Sequence, residues 1–442
     1  MKYFGTDGFR GLVNVDLTVE HALKIGQFLG YYFTKQKGSP AKCVIGKDTR
    51  RSSYMYEYGV AAGVTSSGAD AYLMHVTTTP SVSYITKAED FDFGIMITAS
   101  HNPYTDNGIK VIDASGNKMS EDVLQQIEDY IDGLITLPEN TNVGKCKDYL
   151  MGRNAYIGYL TAIPQKSYRG YRIGLDCANG AASTIAKSVF DILGADVFCI
   201  NNTPDGENIN VDCGSTHIEK LQEYVREQHL DIGFAFDGDA DRCLCVDEKG
   251  NVIDGDGIMY IAGTYLKEND GLNNNTVVVT SMSNLGLLNA LRSRDINVCI
   301  TDVGDKYVSA AIHEHGYSIG GEQSGHIIFD KYATTGDGIL TAIIMTNILI
   351  HKKTIASVLC KDLTIMPQKL KNIRSEKKDQ IMKEPAVQQF AEDFNKKLDG
   401  KGRLLLRKSG TEPLIRIMVE AASDELCDSY ISEVEDFLKA YM

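Results

Sequence analysis

Phe93-Gly94-Ile95-Met96-Ile97-Thr98-Ala99-Ser100-His101-Asn102-Pro103 is an apolar run that gives way abruptly to a polar, proline-closed loop. The run 93–97 reads as a short buried strand bounded by turn residues. A serine followed by His, Asn and Pro then sits where a loop leaves a sheet, the place where α/β folds put their ligands. Two readings of the loop stand at this point. Ser100 is a nucleophilic or phosphorylated serine, or 98–103 is a polar turn closed by Pro103.

Around this stretch the chain alternates strands and amphipathic helices. Apolar residues recur at helical spacing over 18–33, Ala41-Lys42-Cys43-Val44-Ile45-Gly46 follows as a strand, 52–68 reads as a helix ended by glycine, and 71–74 as the next strand. A helix over 121–131 leads into a polar stretch, 138–147, that reads as a boundary. The rhythm restarts with a strand at 172–176, a helix over 183–193 and strands at 196–200 and 232–236. A third cycle has a strand at 276–280 and a helix near 286–292. The lysine-rich stretch 369–383 reads as a solvated linker, followed by a helix over 387–398, strands around Leu404 and Ile415, and a closing helix near 425–439. Strand–helix–strand alternation indicates α/β domains. The expected fold class is therefore three successive α/β domains with mixed sheets plus a small C-terminal α+β domain, over 1–150, 151–252, 253–368 and 369–442.

Composition bounds the function. The chain has 442 residues, 43% hydrophobic and 24% charged, as in an ordinary globular protein of several domains. A net charge of −14 argues against nucleic-acid binding and means that any phosphate site must be built locally. No run of about 18 apolar residues predicts a membrane span, and 342–350 reads as a core helix. Ten cysteines without a C-x-x-C pair read as reduced, buried thiols of a cytoplasmic protein.

Three further motifs carry chemistry. Asp237-Gly238-Asp239-Ala240-Asp241-Arg242 follows a strand directly, and its alternate carboxylates can converge on a hard cation such as Mg²⁺. An EF-hand would need glycine at the sixth position, which is Arg242. In Gly320-Gly321-Glu322-Gln323-Ser324-Gly325-His326, Glu322 and Ser324 share a side if the segment is extended, and could hold neighbouring sugar hydroxyls. Arg407-Lys408-Ser409-Gly410-Thr411-Glu412-Pro413, with Arg416, forms a basic cradle suited to phosphate. Basic residues also stand near glycines in 5–11, which holds Arg10, and in 46–51. Lys110 lies just beyond Ser100 and would serve as acid or base if its pKa were lowered.

The four loops, in this order and one per expected domain, resemble those of the α-D-phosphohexomutase family. Gly-Glu-Gln-Ser-Gly-His at 321–326, Arg-Lys-Ser-Gly-Thr-Glu-Pro at 407–413, and the stretches 213–217 and 281–286 favour its glucosamine-phosphate branch. Ala240 stands where the family often has glycine. The resemblance implies a four-domain architecture around a central cleft and an isomerase that interconverts glucosamine 6-phosphate and glucosamine 1-phosphate. Turnover would pass through a 1,6-bisphosphate and feed UDP-N-acetylglucosamine and cell-wall precursor synthesis. Ser100 would carry the phosphoryl group and, with Asp237, Asp239 and Asp241, hold one Mg²⁺. Arg10 would neutralise phosphoryl charge, Lys110 would be the acid/base and His101 its neighbour. Arg242, Glu322, Ser324 and His326 would contact the sugar; Arg407, Ser409, Gly410, Thr411 and Arg416 would hold the other phosphate. The implied partner is a small sugar phosphate, with no nucleic acid and no membrane; a homodimer is common among relatives. Phosphomannomutases and phosphoglucomutases share all four loops and remain alternatives, as does a non-catalytic sugar-phosphate sensor.

Overall fold

A computed structural model of the chain describes residues 1–409 and 413–442. They form two compact units, one comprising Met1–Met282 and Ile296–Lys361, the other Ser283–Asp295 and Asp362–Met442.

The first unit holds three sheets. Its largest has seven strands in the order Phe4–Gly5, Gly8–Leu12, Asp106–Asp113, Phe93–Ile97, Lys42–Lys47, Asp70–Val76, Cys146–Asp148. The last four run parallel and the others antiparallel. Side chains alternate between two cores along each central strand. Cys43, Ile45, Ile95 and Ile97 enter a cluster with the helices Val19–Lys37, Arg51–Ser66 and Glu121–Ile131, while Val44 and Met96 enter another with Val82 and Ile85 of the helix Thr79–Ala88. Burial on both faces is why these strands read as continuous apolar runs without period-two alternation.

The second sheet has five strands, in the order Val252–Ile253, Cys243–Asp247, Ile232–Phe236, Arg172–Asp176, Asp196–Ile200; the third has four, Asn297–Thr301, Thr276–Thr280, Ile319–Gly321, Ile327–Phe329. Loop 98–103, loop 237–242 and turn 322–325 each leave the carboxyl end of a strand in one of these sheets, as the general rule for α/β ligand sites requires.

The second unit is a three-stranded antiparallel sheet, Gln368–Arg374, Leu414–Glu420, Arg403–Lys408, packed on the helices Pro385–Leu398 and Asp424–Leu438. The helix Leu285–Ser293, part of the third cycle by sequence, belongs to this unit. Its first N–H donates to Glu420 (3.2 Å), and Arg403 donates to the carbonyl of Ser283 (2.7 Å).

One expectation is corrected. Stretch 369–383 is no linker: it carries the edge strand Gln368–Arg374 and the short helix Lys378–Ile381. Lysines on an exposed edge blunt pairing with foreign strands, and the same lysines hid the strand. The boundary region 138–147 ends in Cys146–Asp148, an edge strand exposed throughout and therefore without a burial pattern to read. Among the described residues no helix is long and apolar enough to cross a membrane, and all ten cysteines are free.

Glu128 anchors the N-terminal segment. Its buried carboxylate accepts N–H groups from Lys2 (2.6 Å), Tyr3 (2.7 Å) and Phe4 (2.8 Å), fixing the strand that precedes Arg10. Glu128→Ala leaves three donors without their charged acceptor, and thermal unfolding should report a loss of about 2–3 kcal/mol. A change within ~0.5 kcal/mol would contradict this anchoring.

Candidate active site

The loop after Phe93–Ile97 is held from beneath by a buried ion pair. Arg50 and Asp48 are both fully buried, with Arg50 Nε 2.8 Å from Asp48 Oδ2. The remaining guanidinium N–H groups donate to loop carbonyls: Nη2 to Ser100 (2.9 Å) and Asn102 (2.8 Å), Nη1 to Asp106 (3.1 Å) and, closely, Pro103. All five donors of the fork are thus engaged, a set that only arginine can supply. Asn210 Nδ2 adds bonds to the carbonyls of Ser100 (2.8 Å) and Asn102 (3.1 Å). Thr98 Oγ1 donates to Asp48 Oδ2 (2.8 Å) and accepts from Ser100 N (2.9 Å). Under this clamp Ser100 adopts φ 50°, the left-handed region that non-glycine residues seldom occupy. Stretch 46–51 is therefore not an open anion site. Lys47 is buried against Glu57, Arg50 is the clamp, and Arg51 is the exposed member, paired with Glu207.

Ser100 Oγ donates to Asp237 Oδ2 at 2.5 Å. Asp237, Asp239 and Asp241 are buried, and one oxygen of each lies within 4.8 Å of the others. The loop turns tightly enough for this because Ala240 takes φ 57° with its N–H on the carbonyl of Asp237 (3.1 Å). Glycine would adopt that conformation without the roughly 1 kcal/mol an alanine pays. Gly238 is required by close approach: a Cβ there would lie 2.5 Å from the Ser100 carbonyl oxygen.

Charges around the triad are balanced by Lys110. Its ammonium lies 2.8 Å from Asp239 Oδ2, 2.9 Å from Asp241 Oδ2 and 3.2 Å from Asp7 Oδ2. Burial alone would lower its pKa, but Asp239, Asp241 and Asp7 outweigh burial and raise it well above the ordinary lysine value. The lowered pKa on which the acid/base reading of Lys110 was conditioned is absent because three carboxylates converge on it. Asp239, buried and also accepting from Thr79 Oγ1 (2.5 Å), is nonetheless held low by Lys110. Asp237 goes the other way, raised by burial and by Asp241 and Asp239. Asp239 Oδ1 and Asp241 Oδ1 are buried without a hydrogen-bond partner among the described residues. Such orphaned oxygens beside a third carboxylate fit a hard divalent cation.

His101 Nδ1 is 3.4 Å from Ser100 Oγ. Burial, with Arg242 and Arg10 nearby, lowers its pKa to about 4, so the ring is neutral at ordinary pH. Arg10 pairs closely with Asp7. Arg242 is held protonated by Asp237, Asp241 and Glu322 against its burial. Glu322 opens a turn between Ile319–Gly321 and Ile327–Phe329, closed by Gly325 N to the Glu322 carbonyl (3.0 Å) with Gly325 at φ 93°. The segment is a hairpin turn, so extended-chain geometry does not place Glu322 and Ser324. Ser324 is exposed, and Glu322 Oε1 accepts from Gly304 N (3.1 Å).

A cavity of about 610 Å³ is lined by Lys110, Lys118, Asp305 and His326, and a small adjoining space reaches Thr79 and Asp241. Its volume falls within the ordinary range for small-molecule sites. Thr79, Lys118 and Asp305 carried no signal in the sequence, since none sits in a motif.

In the second unit Arg407 and Arg416 face each other across adjacent strands, and burial together with Arg416 lowers the Arg407 pKa. Like charges set opposite one another are unfavourable without an anion between them. Ser409 N bonds to the Leu414 carbonyl (2.8 Å), and Arg416 Nη2 reaches Ser409 Oγ (3.5 Å). Gly410 and Thr411 lie outside the described residues.

Arg50→Lys keeps a charge but forfeits the fork. Catalytic turnover should fall at least ~100-fold through displacement of Ser100, with stability reduced by about 3 kcal/mol or more. Wild-type turnover in this variant would refute the clamp.

Models of the phosphoglucomutase/phosphomannomutase domains match in chain order: alpha/beta/alpha domain I over 1–136, domain II over 154–250, domain III over 254–366 and the C-terminal domain over 370–437. The phosphoglucosamine mutase of Lachnospira eligens is 58% identical over 443 residues, covering 99% of this chain and 98% of the relative. That of Lachnoclostridium phytofermentans is 57% identical over 438 residues, covering 98% and 97%. A crystal structure of a phosphoglucomutase/phosphomannomutase family protein from Burkholderia thailandensis shares the fold, with a TM-score of 0.82 at 23% identity over 99% of this chain and 97% of that one. With all four domains matched along nearly its whole length, the chain belongs to the phosphoglucomutase/phosphomannomutase family of α-D-phosphohexomutases.

Proposed function

We propose that the chain is a phosphoglucosamine mutase, an isomerase that interconverts glucosamine 6-phosphate and glucosamine 1-phosphate through a phosphoserine at Ser100. The observation that carries the chemistry is the buried Ser100 hydroxyl at 2.5 Å from Asp237, inside a triad of carboxylates with orphaned oxygens. The substrate follows from full-length relatives of that name at 57–58% identity. Each of the stretches 1–150, 151–252, 253–368 and 369–442 contributes one loop, and the division is functional in that sense.

In the first transfer a sugar hydroxyl gives up its proton as its oxygen forms the new bond to phosphorus. The bond from phosphorus to Ser100 Oγ breaks and the serine oxygen takes up a proton, so that one proton passes in net from the sugar oxygen to the serine oxygen. The second transfer reverses these changes with the other phosphate of the 1,6-bisphosphate. Lys110, present as an ammonium, gives its proton to the leaving oxygen and recovers one from the attacking hydroxyl in each transfer, so that it ends each as it began. Neutral His101 relays the proton or accepts a hydrogen bond from the phosphoryl group. Mg²⁺ held by Asp237, Asp239, Asp241 and the phosphorylated Ser100 would supply neutralisation of the phosphoryl oxygens. Arg10 and Arg242 add fixed positive charge beside the same oxygens. Glu322, Ser324 and His326 hold the sugar, and Arg407, Ser409, Gly410, Thr411 and Arg416 hold the phosphate that is not reacting. The product feeds amino-sugar nucleotide and cell-wall precursor synthesis in the cytoplasm.

One preparation assayed with the 1-phosphates of glucosamine, glucose and mannose tests the substrate. Preference for glucosamine 1-phosphate is expected; preference for either of the others transfers the chain to another branch of the family. Ser100→Ala should lower turnover at least ~1,000-fold, and retained activity would sink the phosphoserine mechanism.

A further inference from the structure

Glucosamine and glucose phosphates differ at C2, where one carries an ammonium and the other a hydroxyl, so charge is what a discriminating site must read. Asp305 is the first residue of the helix Asp305–His315 and lines the 610 Å³ cavity with Lys118 and His326. Its side chain is 15% exposed. Among the described residues its cationic partner is Lys118, at 2.8 Å from Oδ1 and 2.6 Å from Oδ2. Lys118 is shared, since it also lies 3.0 Å from Asp7 Oδ1 and donates to the carbonyl of Thr6. A carboxylate accepts about four hydrogen bonds, so Asp305 keeps acceptor capacity toward the cavity. The other carboxylates here are committed elsewhere: Asp7 to Arg10, Lys110 and Lys118, and the exposed Glu121 to Lys306.

Two neighbours bear on Asp305. His326 is buried at 4% exposure, lines the same cavity, and has neither ring nitrogen in a hydrogen bond among the described residues; its Nε2 lies 3.6 Å from Asp305 Oδ2. Gly304, which precedes Asp305, donates its N–H to Glu322 Oε1. The carboxylate assigned to the sugar hydroxyls and Asp305 are therefore joined through one backbone bond, and C2 adjoins the hydroxyl-bearing C3. Burial alone would raise the Asp305 pKa, but His326 and Lys118 reverse this and hold it below its ordinary value, so the group is anionic.

We propose that the Asp305 carboxylate recognises the C2 ammonium of the substrate, with Lys118 positioning it, and so sets the preference for amino-sugar over neutral-sugar phosphates. The inference rests on the glucosamine-phosphate reading above. Its test is kcat/KM for glucosamine 6-phosphate and glucose 6-phosphate, with glucose 1,6-bisphosphate as activator, in the wild type, Asp305→Asn, Asp305→Ser and Asp305→Glu. Both sugars are measured on each preparation, so the fraction of folded enzyme cancels in the ratio. Loss of a charge-assisted contact should cut the glucosamine preference about 10–100-fold in either neutral variant. The loss should fall more heavily on glucosamine 6-phosphate than on glucose 6-phosphate, and Asp305→Glu should retain most of the preference. An unchanged ratio, or equal losses on both sugars, overturns the role of Asp305 while leaving the parent reading intact. A wild type that prefers glucose 6-phosphate overturns the parent reading, and this inference with it.

Discussion

Arg50 has no access to solvent, and its five N–H groups are divided between one carboxylate and four main-chain carbonyls. An arginine buried in this way costs several kcal/mol of desolvation unless every donor is satisfied. Asp48 supplies the countercharge, and the loop after the strand Phe93–Ile97 supplies the rest. The constraint works in both directions. The loop must fold around Arg50 to offset its burial, and the clamp in turn holds Ser100 in a left-handed conformation that the chain alone would abandon. On the proposed mechanism the serine has to be in one place for both transfers, and support from beneath would provide that.

Electrostatic balance is the second constraint. Three carboxylates within 4.8 Å repel one another strongly in a buried setting. Lys110 offsets part of this by touching Asp239 and Asp241, while Asp237 is relieved by the Ser100 hydroxyl and the backbone N–H of Arg242. Two oxygens remain without a partner among the described residues. A lysine and a divalent cation that share carboxylates oppose each other, so occupancy of the triad would loosen the hold on the Lys110 proton. On the proposed roles, that coupling would link cation binding to the acid–base readiness of Lys110, using residues from two different sheets.

Much of the site was legible because its chemistry is written in contiguous loops. Ser100, the three aspartates and Glu322 each announce themselves next to a strand or a glycine, as do the two facing arginines within the second unit. Thr79, Glu128, Lys118 and Asp305 do not, and Arg50 was legible only as a basic residue near Gly46, not as a buried clamp. Their roles come from partners dozens to hundreds of residues away, such as Thr79 with Asp239 or Lys118 with Asp305. Lys110 was singled out, yet the direction of its pKa depends on three carboxylates that no local pattern reveals. The fold shows the same division. Central strands buried on both faces stood out as apolar runs, whereas the lysine-bearing edge strand Gln368–Arg374 looked like a linker. Ala240 was visible as a departure from the family's glycine, and its φ of 57° supplies the physical reason glycine would be favoured there.

The central claim is that Ser100 holds the phosphoryl group in transit. It is tested most directly by treating phosphate-free protein with glucose 1,6-bisphosphate, quenching, and locating the label by peptide mass spectrometry. The account predicts one added phosphoryl group, on the peptide containing Ser100, which is removed when excess glucosamine 6-phosphate is supplied before the quench. An active enzyme whose Ser100 stays unmodified, or whose phosphoryl group resides on another side chain, would contradict it.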